Sequence, residues 1–206
     1  MFRTFIIIGF VIALASCGGG SRSGRSGIEQ SAPAASSCQI AMQAHARDYR
    51  SASIGDGSSC KVEQPVSFSR SADLHFTPLL STSCAMALAW FDFEPEVEAL
   101  ARETLGSGVA MVRHYGSFSC RRMTGNGRRM SLHASARALD IAGFTLDDGR
   151  EISVKRDWRR GDAGRFLSAF ANAACARFGV VLTPAHDRSH HDHIHIDIGP
   201  WKLCGT

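Results

Sequence analysis

The segment SHHDHIHIDIGP, at residues 189–200, contains the clearest chemical pattern in the chain. From His193 onward, His193, His195 and Asp197 alternate with isoleucines. Alternate side chains of a β-strand point to opposite faces, so the isoleucines would enter a core and the three polar groups would share the other face. Two imidazoles and a carboxylate on one face are donors that zinc prefers.

A second group of possible metal ligands lies far upstream, in the segment SLHASARALD at residues 131–140. His133 and Asp140 are seven residues apart there. On a continuous helix this spacing makes about two turns and puts both side chains on one face. Alternatively, His133 ends a loop, residues 134–138 form a turn and Asp140 begins a strand. Either arrangement could complete a metal site with the downstream histidines.

Three segments carry a resemblance to a known family: GSFSCRR at 116–122, SLHASARALDIAGF at 131–144 and SHHDHIHID at 189–197. They are similar to the bacterial extensin-like C-terminal domain family. That family is related to the zinc peptidases of the lysostaphin, D-alanyl-D-alanine carboxypeptidase and hedgehog superfamily. The resemblance covers residues 38–204 and is strongest after residue 115. It implies that His133, Asp140 and His195 bind a catalytic Zn²⁺, with water in the open fourth position.

The resemblance also implies a general base near the last metal ligand. Some relatives place an acidic residue at the position of Asp192, and others use a histidine at the position of His193. We expect Asp192 to be the base and His193 to stabilise the oxyanion, although the residues alone leave both assignments open. His190 occupies a further histidine position that some members use.

Substrate contacts follow from the same resemblance. Arg121 stands where the peptidases carry an arginine near the substrate carbonyl or carboxylate, and a guanidinium binds carboxylates with two parallel hydrogen bonds. Ser131, two residues before the first ligand, is expected to hydrogen-bond substrate. Asp197 has two readings, because it could orient a ligand imidazole or pair with an arginine. The carboxypeptidase motif has glycine where this chain has Ala136, a mild change if φ stays negative there.

Residues 1–16, MFRTFIIIGFVIALAS, have the pattern of a secretory signal. The apolar run that follows Arg3 is shorter than the ~20 residues that span a membrane. The segment LASC ending at Cys17 resembles the bacterial lipobox, so we expect Cys17 to be lipidated. An ordinary signal peptide with an incidental Cys17 is the alternative. The expected location is the bacterial cell envelope, lipid-anchored and facing the periplasm, and Gly18 favours the outer membrane.

The remaining chain divides into a tether and one domain. Residues 17–37 are rich in Gly and Ser and predict a flexible lipidated tether, and the folded domain is expected over residues 38–206. Lipidation of Cys17 would leave six of the seven cysteines, with no CxxC spacing that would indicate a zinc knuckle. An oxidising compartment would join the six in three disulfides. Cys38 and Cys60 are the one pair that we expect, because both lie early in the domain.

The hydrophobic pattern predicts an α+β domain, a small antiparallel sheet with flanking helices. The resemblance implies, more finely, a zinc domain like those of hedgehog and the D-Ala-D-Ala peptidases. Helices are expected at residues 77–90, 94–104 and 165–178, and strands at 109–115, 116–121, 139–144, 180–182 and 193–198. A hairpin is expected over residues 144–154, with a two-residue turn at Asp148 and Gly149. Residues 122–129 are expected to form a loop rich in Gly and Arg.

Export, lipidation and the metal motifs together predict a zinc-dependent peptidase, of carboxypeptidase or endopeptidase type, that acts on peptidoglycan peptides. A non-catalytic zinc-containing module that binds wall peptide or a partner protein is the alternative. A structural lipoprotein with a vestigial site is a third reading, and an adventitious surface tract is the plainest reading of the histidines. The chain is mildly basic, with a formal net charge of +4, but it shows no nucleic-acid-binding motif.

Overall fold

A mostly antiparallel sheet of nine strands, counted in the part of the chain that the structure describes, forms the frame of the fold. The computed structural model describes residues 36–55, 60–124 and 126–206. The strands are β1 (Arg50–Ser51), β2 (Pro65–Arg70), β3 (His75–Ser83), β4 (Val109–Gly116), β5 (Arg122–Met123), β6 (Asn126–Met130), β7 (Ala138–Leu146), β8 (Glu151–Ser153), β9 (Val180–Leu182), β10 (Ile194–Asp197) and β11 (Leu203–Gly205). The sheet is larger than the small one expected.

The strand order across the sheet is β1-β2-β3-β4-β7-β10-β9-β11, with β8 paired to β7. The pairs β3–β4 and β9–β11 are parallel, and the other pairs are antiparallel. Strands β5 and β6 form a separate two-stranded ribbon. The helices are α1 (Ser37–His45), α2 (Cys84–Leu105), α3 (Val154–Asp157) and α4 (Gly161–Arg177), with short 3-10 helices at Leu132–Ser135 and Arg188–His190. The expected α+β class is confirmed at this level.

Aromatic side chains fix α2 and α4 to one face of the sheet. The ring of Phe144 on β7 lies 5.1 Å from Phe166 and 5.2 Å from Phe170 of α4, centroid to centroid. On α2, Phe93 lies 5.4 Å from Phe170, and Trp90 lies 5.6 Å from Phe76 of β3. Burial of such large rings is a main source of stability. The helix-covered face of the sheet is therefore the core.

The strand next to β7 contributes its isoleucines to this core. Ile194 and Ile196 of β10 are completely buried, as the period-two pattern predicted. On β7, Leu139 and Ile141 are likewise buried. The residues between them on both strands consequently face the other side of the sheet, and this is where the polar motif residues lie.

The prediction of a helix over residues 77–90 was wrong in its first half. Residues 75–83 form strand β3, which pairs with β2 and β4, and the helix begins only at Cys84. The Ser83 side chain accepts a hydrogen bond from the Met86 N–H and so marks the helix start. The helix then continues through Pro95 to Leu105, so the two expected helices are one. Packing of both halves against the core outweighs the hydrogen bond that Pro95 does not donate.

Other boundaries differ in smaller ways. The strand expected at residues 116–121 does not form, because β4 ends at Gly116, and the loop expected at 122–129 contains most of the β5–β6 ribbon. The hairpin at residues 144–154 is confirmed, but its turn is longer. The Leu146 N–H donates to the Arg150 carbonyl, and Gly149 adopts φ 84°. Such a three-residue loop needs a left-handed residue at this place, which explains the glycine. Helix α4 starts at Gly161, four residues before the expected start.

Three disulfides join the six cysteines of the domain, as expected. The pairs are Cys38–Cys84, Cys60–Cys120 and Cys175–Cys204. The predicted pairing of Cys38 with Cys60 is wrong, because α1 packs beside the start of α2 and brings Cys38 to Cys84 instead. The signal, the lipidated Cys17 and most of the tether, predicted for residues 1–37, fall outside the described residues. Among those described, no helix has both the length and the apolar character to cross a membrane.

Candidate metal centre

Two neighbouring strands and one short helix position the three predicted ligands. His195 on β10 pairs directly with Asp140 on β7 in the antiparallel register, so their side chains share one face of the sheet. His133 comes from the 3-10 helix Leu132–Ser135 that precedes β7. Of the two expected arrangements, the one with Asp140 on a strand is observed, although His133 lies within the short helix and β7 begins at Ala138, two residues before Asp140. The continuous-helix arrangement is wrong.

Two cap residues hold the short helix that carries His133. The Ser131 hydroxyl accepts a hydrogen bond from the His133 N–H at 3.3 Å. At the other end, Ala136 adopts φ 51° and ψ 39°, and its N–H donates to the His133 carbonyl. The condition under which alanine would be a mild change from glycine, a negative φ, is therefore not met at Ala136. A left-handed residue is needed here because the chain must reverse within two residues to enter β7.

Three potential ligand atoms converge on one point. His133 Nε2 lies 3.1 Å from Asp140 Oδ1 and 3.1 Å from His195 Nδ1, and His195 Nδ1 lies 2.9 Å from Asp140 Oδ1. His133 and His195 are buried, and Asp140 is partly buried. Tetrahedral zinc with bonds of about 2.0–2.1 Å keeps its ligand atoms about 3.3 Å apart, so the observed triangle is close to the size that zinc requires.

In each histidine, the hydrogen bond of the other ring nitrogen decides whether the potential ligand atom carries a proton or a lone pair. His133 Nδ1 lies 2.9 Å from the Ser117 carbonyl oxygen, which only accepts hydrogen bonds, so Nδ1 carries the proton and Nε2 presents a lone pair. His195 Nε2 lies 3.4 Å from Asp197 Oδ2, and this contact favours a lone pair on Nδ1 in the same way. Contacts of this kind orient metal-binding histidines. Of the two readings of Asp197, the contact with the imidazole is the one observed.

The centre therefore collects two lone pairs and a carboxylate, which repel one another unless a proton or a cation joins them. Burial raises the pKa of Asp140, but when protons rather than a cation join these atoms, hydrogen bonds and charge from the protonated rings of His133 and His195 outweigh burial and hold this pKa well below its usual range. Burial disfavours charge on His195, yet Asp140 and Asp197 together raise the pKa of His195 to about 9. Both shifts describe a site that attracts positive charge. Nitrogen and carboxylate donors fit zinc.

His193 lies at the open side of this centre. Its Nδ1 lies 2.9 Å from Asp192 Oδ1, and its Nε2 lies 3.5 Å from Asp140 Oδ1. An ionised carboxylate accepts but cannot donate, so Nδ1 of His193 carries the proton and Nε2 presents its lone pair toward the centre. Asp192 thus contacts the centre through His193.

Tyr115 contacts both Asp192 and His193. From the sequence alone, Tyr115 looked like a packing residue. Its hydroxyl donates to Asp192 Oδ2 at 3.4 Å, and its ring lies edge-on to His193 with centroids 5.8 Å apart. Tyr115 stands at the end of β4, where Gly116 pairs with Asp140. Only the register of β4 against β7 reveals this neighbourhood, since the tyrosine is 77 residues from Asp192.

His190 completes the histidine cluster. The His190 ring lies 5.1 Å from His193 and 5.9 Å from His195, centroid to centroid, and its Nδ1 lies 2.8 Å from Asp187 Oδ1. Burial lowers the pKa of His190 despite the hydrogen bond that its Nδ1 donates to Asp187. The His190 ring lies beside the triad of His133, Asp140 and His195 without being part of it.

Arg121 and Ser131 are positioned less directly than the resemblance implied. The Arg121 side chain is exposed and forms no hydrogen bond or ion pair within the described residues. Ser131 uses its hydroxyl oxygen as the helix cap described above, which leaves its proton for another acceptor. Within the described residues, neither side chain forms a hydrogen bond to the side chain of His133, Asp140 or His195.

Comparison with known protein families identifies the relatives of this chain. The model of the family described as extensin-like protein C-terminus matches residues 36–205. The chain belongs to this family. The match covers every strand and helix named above. No curated protein matches this member of the extensin-like family, and no solved structure does either.

Proposed function

We propose that this extensin-like domain is a zinc-dependent peptidase of the cell envelope that hydrolyses amide bonds in peptidoglycan peptides. The observation that carries the proposal is the convergence of His133 Nε2, Asp140 Oδ1 and His195 Nδ1 within 3.1 Å of one another, with a further imidazole beside them. A three-residue ligand set leaves an open position, which is the arrangement of catalytic rather than structural zinc.

His193 and Asp192 have different roles in the proposed reaction. Zinc bound here would polarise the scissile carbonyl and lower the pKa of water to near 7. His193 Nε2 accepts the proton of the attacking water and returns it to the nitrogen of the leaving amine. Asp192 holds His193 in the tautomer that makes this possible. The proposal therefore assigns the base to His193 and its orientation to Asp192, the reverse of the preference drawn from the motif.

The location of the protein supports the choice of substrate. The signal-like residues 1–16 and the lipobox-like Cys17 would place the domain on the periplasmic side of a membrane, where peptidoglycan peptides are the abundant peptide polymer. The three disulfides suit that oxidising compartment. Replacement of Cys17 by alanine should release the protein from membranes, and a protein that stays bound would refute the anchor.

A non-catalytic zinc module that binds wall peptide is the second candidate. It is supported by one observation: the Arg121 side chain is exposed and forms no hydrogen bond or ion pair within the described residues, which leaves its guanidinium available to bind a peptide carboxylate without cleavage. Both candidates need the metal, and only the peptidase needs His193 and Asp192 as a pair.

Metal analysis and digestion separate the candidates. Residues 36–206, purified with their disulfides intact, should bind one zinc per chain and should shorten or open the stem peptides of purified muropeptides, as read by mass spectrometry. Asp140→Asn should abolish both properties, and His186→Ala, outside the triad, should keep both. A chain without stoichiometric zinc contradicts both candidates, and zinc binding without any cleavage supports the second.

A further inference from the structure

A groove of about 420 Å³ opens next to the metal centre on the same side of the sheet. Thr77, Pro78, Arg113, His114, Tyr115, Ala142 and Ser153 line it. They come from four adjacent strands, β3, β4, β7 and β8, so the floor of the groove is the sheet itself. The volume lies within the range of sites that bind small molecules and peptides.

Register connects the groove to the centre. Ala142 follows Asp140 by two residues on β7 and so lies about 7 Å further along the strand, at an irregularity where the pairing with β4 skips one residue. Tyr115 belongs to both regions, because it lines the groove and also contacts Asp192 and His193. A distance of 7 Å is about the length of two extended peptide residues. A chain that lies along the groove would reach the metal centre within two residues.

The lining decides the chemistry of the occupant. The walls are the Tyr115 ring, Pro78 and the small Ala142, with hydroxyls from Thr77 and Ser153. No carboxylate lines the groove among the described residues.

Arg113 of the lining is partly paired. Its Nη1 donates to Glu151 at 3.1 Å and its Nη2 donates to the Ile152 carbonyl at 2.7 Å, whereas its buried Nε has no hydrogen-bond partner among the described residues. The Glu151 carboxylate offsets much of the positive charge. The groove therefore suits an uncharged segment with small side chains and backbone groups that can meet hydroxyls.

We propose that this groove is a substrate subsite that binds a short, neutral peptide segment with small side chains next to the bond at the metal centre. The proposal rests on the proposed function for the position of the cleaved bond, but binding in the groove needs neither metal nor turnover. Tyr115 then determines specificity, because its ring forms the wall between the groove and the proton-transfer pair. Its exposed fraction of 60% leaves most of that ring free to contact a ligand.

The test is a titration of the metal-free domain, residues 36–206, with N-acetyl-trialanine amide, followed by NMR. We expect shifts at Ala142, Thr77 and Tyr115 with millimolar or tighter affinity. Ala142→Leu fills the groove and should weaken binding at least tenfold, since single methylenes in a pocket change binding by about 10-fold or more. Thr145→Leu, on the same strand but outside the groove lining, is the matched control and should bind as the parent does.

Two tyrosine variants separate the wall from the hydrogen bond. Tyr115→Ala removes the ring and should weaken the peptide about tenfold, whereas Tyr115→Phe keeps the ring and should stay within about twofold. Three results would each overturn the subsite: shifts outside the groove, no binding at a peptide concentration of about 10 mM, or equal binding by Ala142→Leu. Peptide binding in the groove without muropeptide cleavage would keep the subsite and refute the peptidase.

Discussion

Asp192 Oδ1 accepts a hydrogen bond from His193 Nδ1 at 2.9 Å, and this contact turns the other ring nitrogen of His193 toward the metal centre. The Nε2 atom reaches 3.5 Å from Asp140 Oδ1 as a result. His193 thus faces the metal centre, and Asp192 holds the His193 ring in that orientation. Burial raises the pKa of Asp192, but hydrogen bonds and charge from the surrounding histidines lower it overall, so the carboxylate is ionised and able to accept.

Substitutions of this pair should separate zinc binding from cleavage. His193→Gln removes the proton acceptor and should lower kcat by about 10²–10⁴ with zinc content unchanged. Asp192→Asn leaves the ring in place without its tautomer partner and should lower kcat by a similar factor. Zinc content by mass spectrometry and muropeptide kinetics measure both effects. If Asp192→Asn is inactive while His193→Gln retains full activity, Asp192 is itself the base and our assignment is wrong.

Glu94 should make stability depend on pH. Its carboxylate is buried on α2 and accepts from Ser71 Oγ at 2.6 Å and Trp90 Nε1 at 3.0 Å. Burial raises its pKa, and these hydrogen bonds only partly offset burial. The folded state therefore binds the proton more tightly than the unfolded state does. The resulting contribution to stability is complete below the ordinary pKa of Glu94 and is lost as pH rises through the raised pKa.

Urea unfolding of the parent and of Glu94→Gln should show this pH dependence directly. The measurements cover about pH 4 to 8, the range in which carboxyl and histidine groups titrate. The variant should be less destabilised than the parent as pH rises, because an amide is neutral throughout. The control is Glu103→Gln, because Glu103 lies exposed on the same helix. Parallel curves for the parent and Glu94→Gln would contradict the prediction.

The Cys175–Cys204 disulfide should stabilise the edge of the sheet beside β10. It joins α4 to β11, the edge strand that pairs in parallel with β9. The two cysteines are 29 residues apart, and loops of this size contribute about 3 kcal/mol when closed. The double variant Cys175→Ser/Cys204→Ser should lose about that much unfolding free energy in urea. An unchanged midpoint would show that hydrogen bonds such as Thr183 Oγ1 to Gly205 O hold β11 without the disulfide.

Ala136 should tolerate glycine but not a larger residue. Its backbone is left-handed and its side chain is completely buried. Ala136→Gly relieves about 1 kcal/mol of strain and loses a methyl worth about 0.8 kcal/mol, so stability and zinc content should change little. Ala136→Val should lose more than about 2 kcal/mol, because a branched side chain is strained at this φ and lacks space. Thermal unfolding and metal analysis check both variants. Equal stability of all three proteins would contradict the account.

The sequence predicted that His195 and Asp197 lie on one strand because alternation is a local rule. Alternation at residues 193–198 identified β10 and its buried isoleucines, and a strand can present His195 and Asp197 on only one face. Helix α4 followed from its apolar period, and the hairpin from Asp148 and Gly149. These features depend on neighbours within about ten residues, which is the range over which a sequence pattern is informative.

The features that the sequence did not predict depend on contacts between residues far apart in the chain. Residues 77–83 became a strand because β2 and β4 lie on either side of them, and local preference gave no sign of those neighbours. Tyr115 reached Asp192 only through the pairing of β4 with β7. The pairing of Cys38 with Cys84 required α1 to pack on α2. In each case tertiary contacts decided the outcome.

The Cys60–Cys120 disulfide restrains the segment that orients His133, the first of the predicted metal ligands. Cys120 lies three residues after Ser117, whose carbonyl accepts from His133 Nδ1, and the Ser119 N–H donates to the His133 carbonyl. Reduction would free this segment and with it the contact that keeps the lone pair of His133 on Nε2. We therefore expect the affinity for zinc to depend on thiol oxidation, so that a chain still in a reducing compartment would take up metal poorly and gain its metal centre only after export.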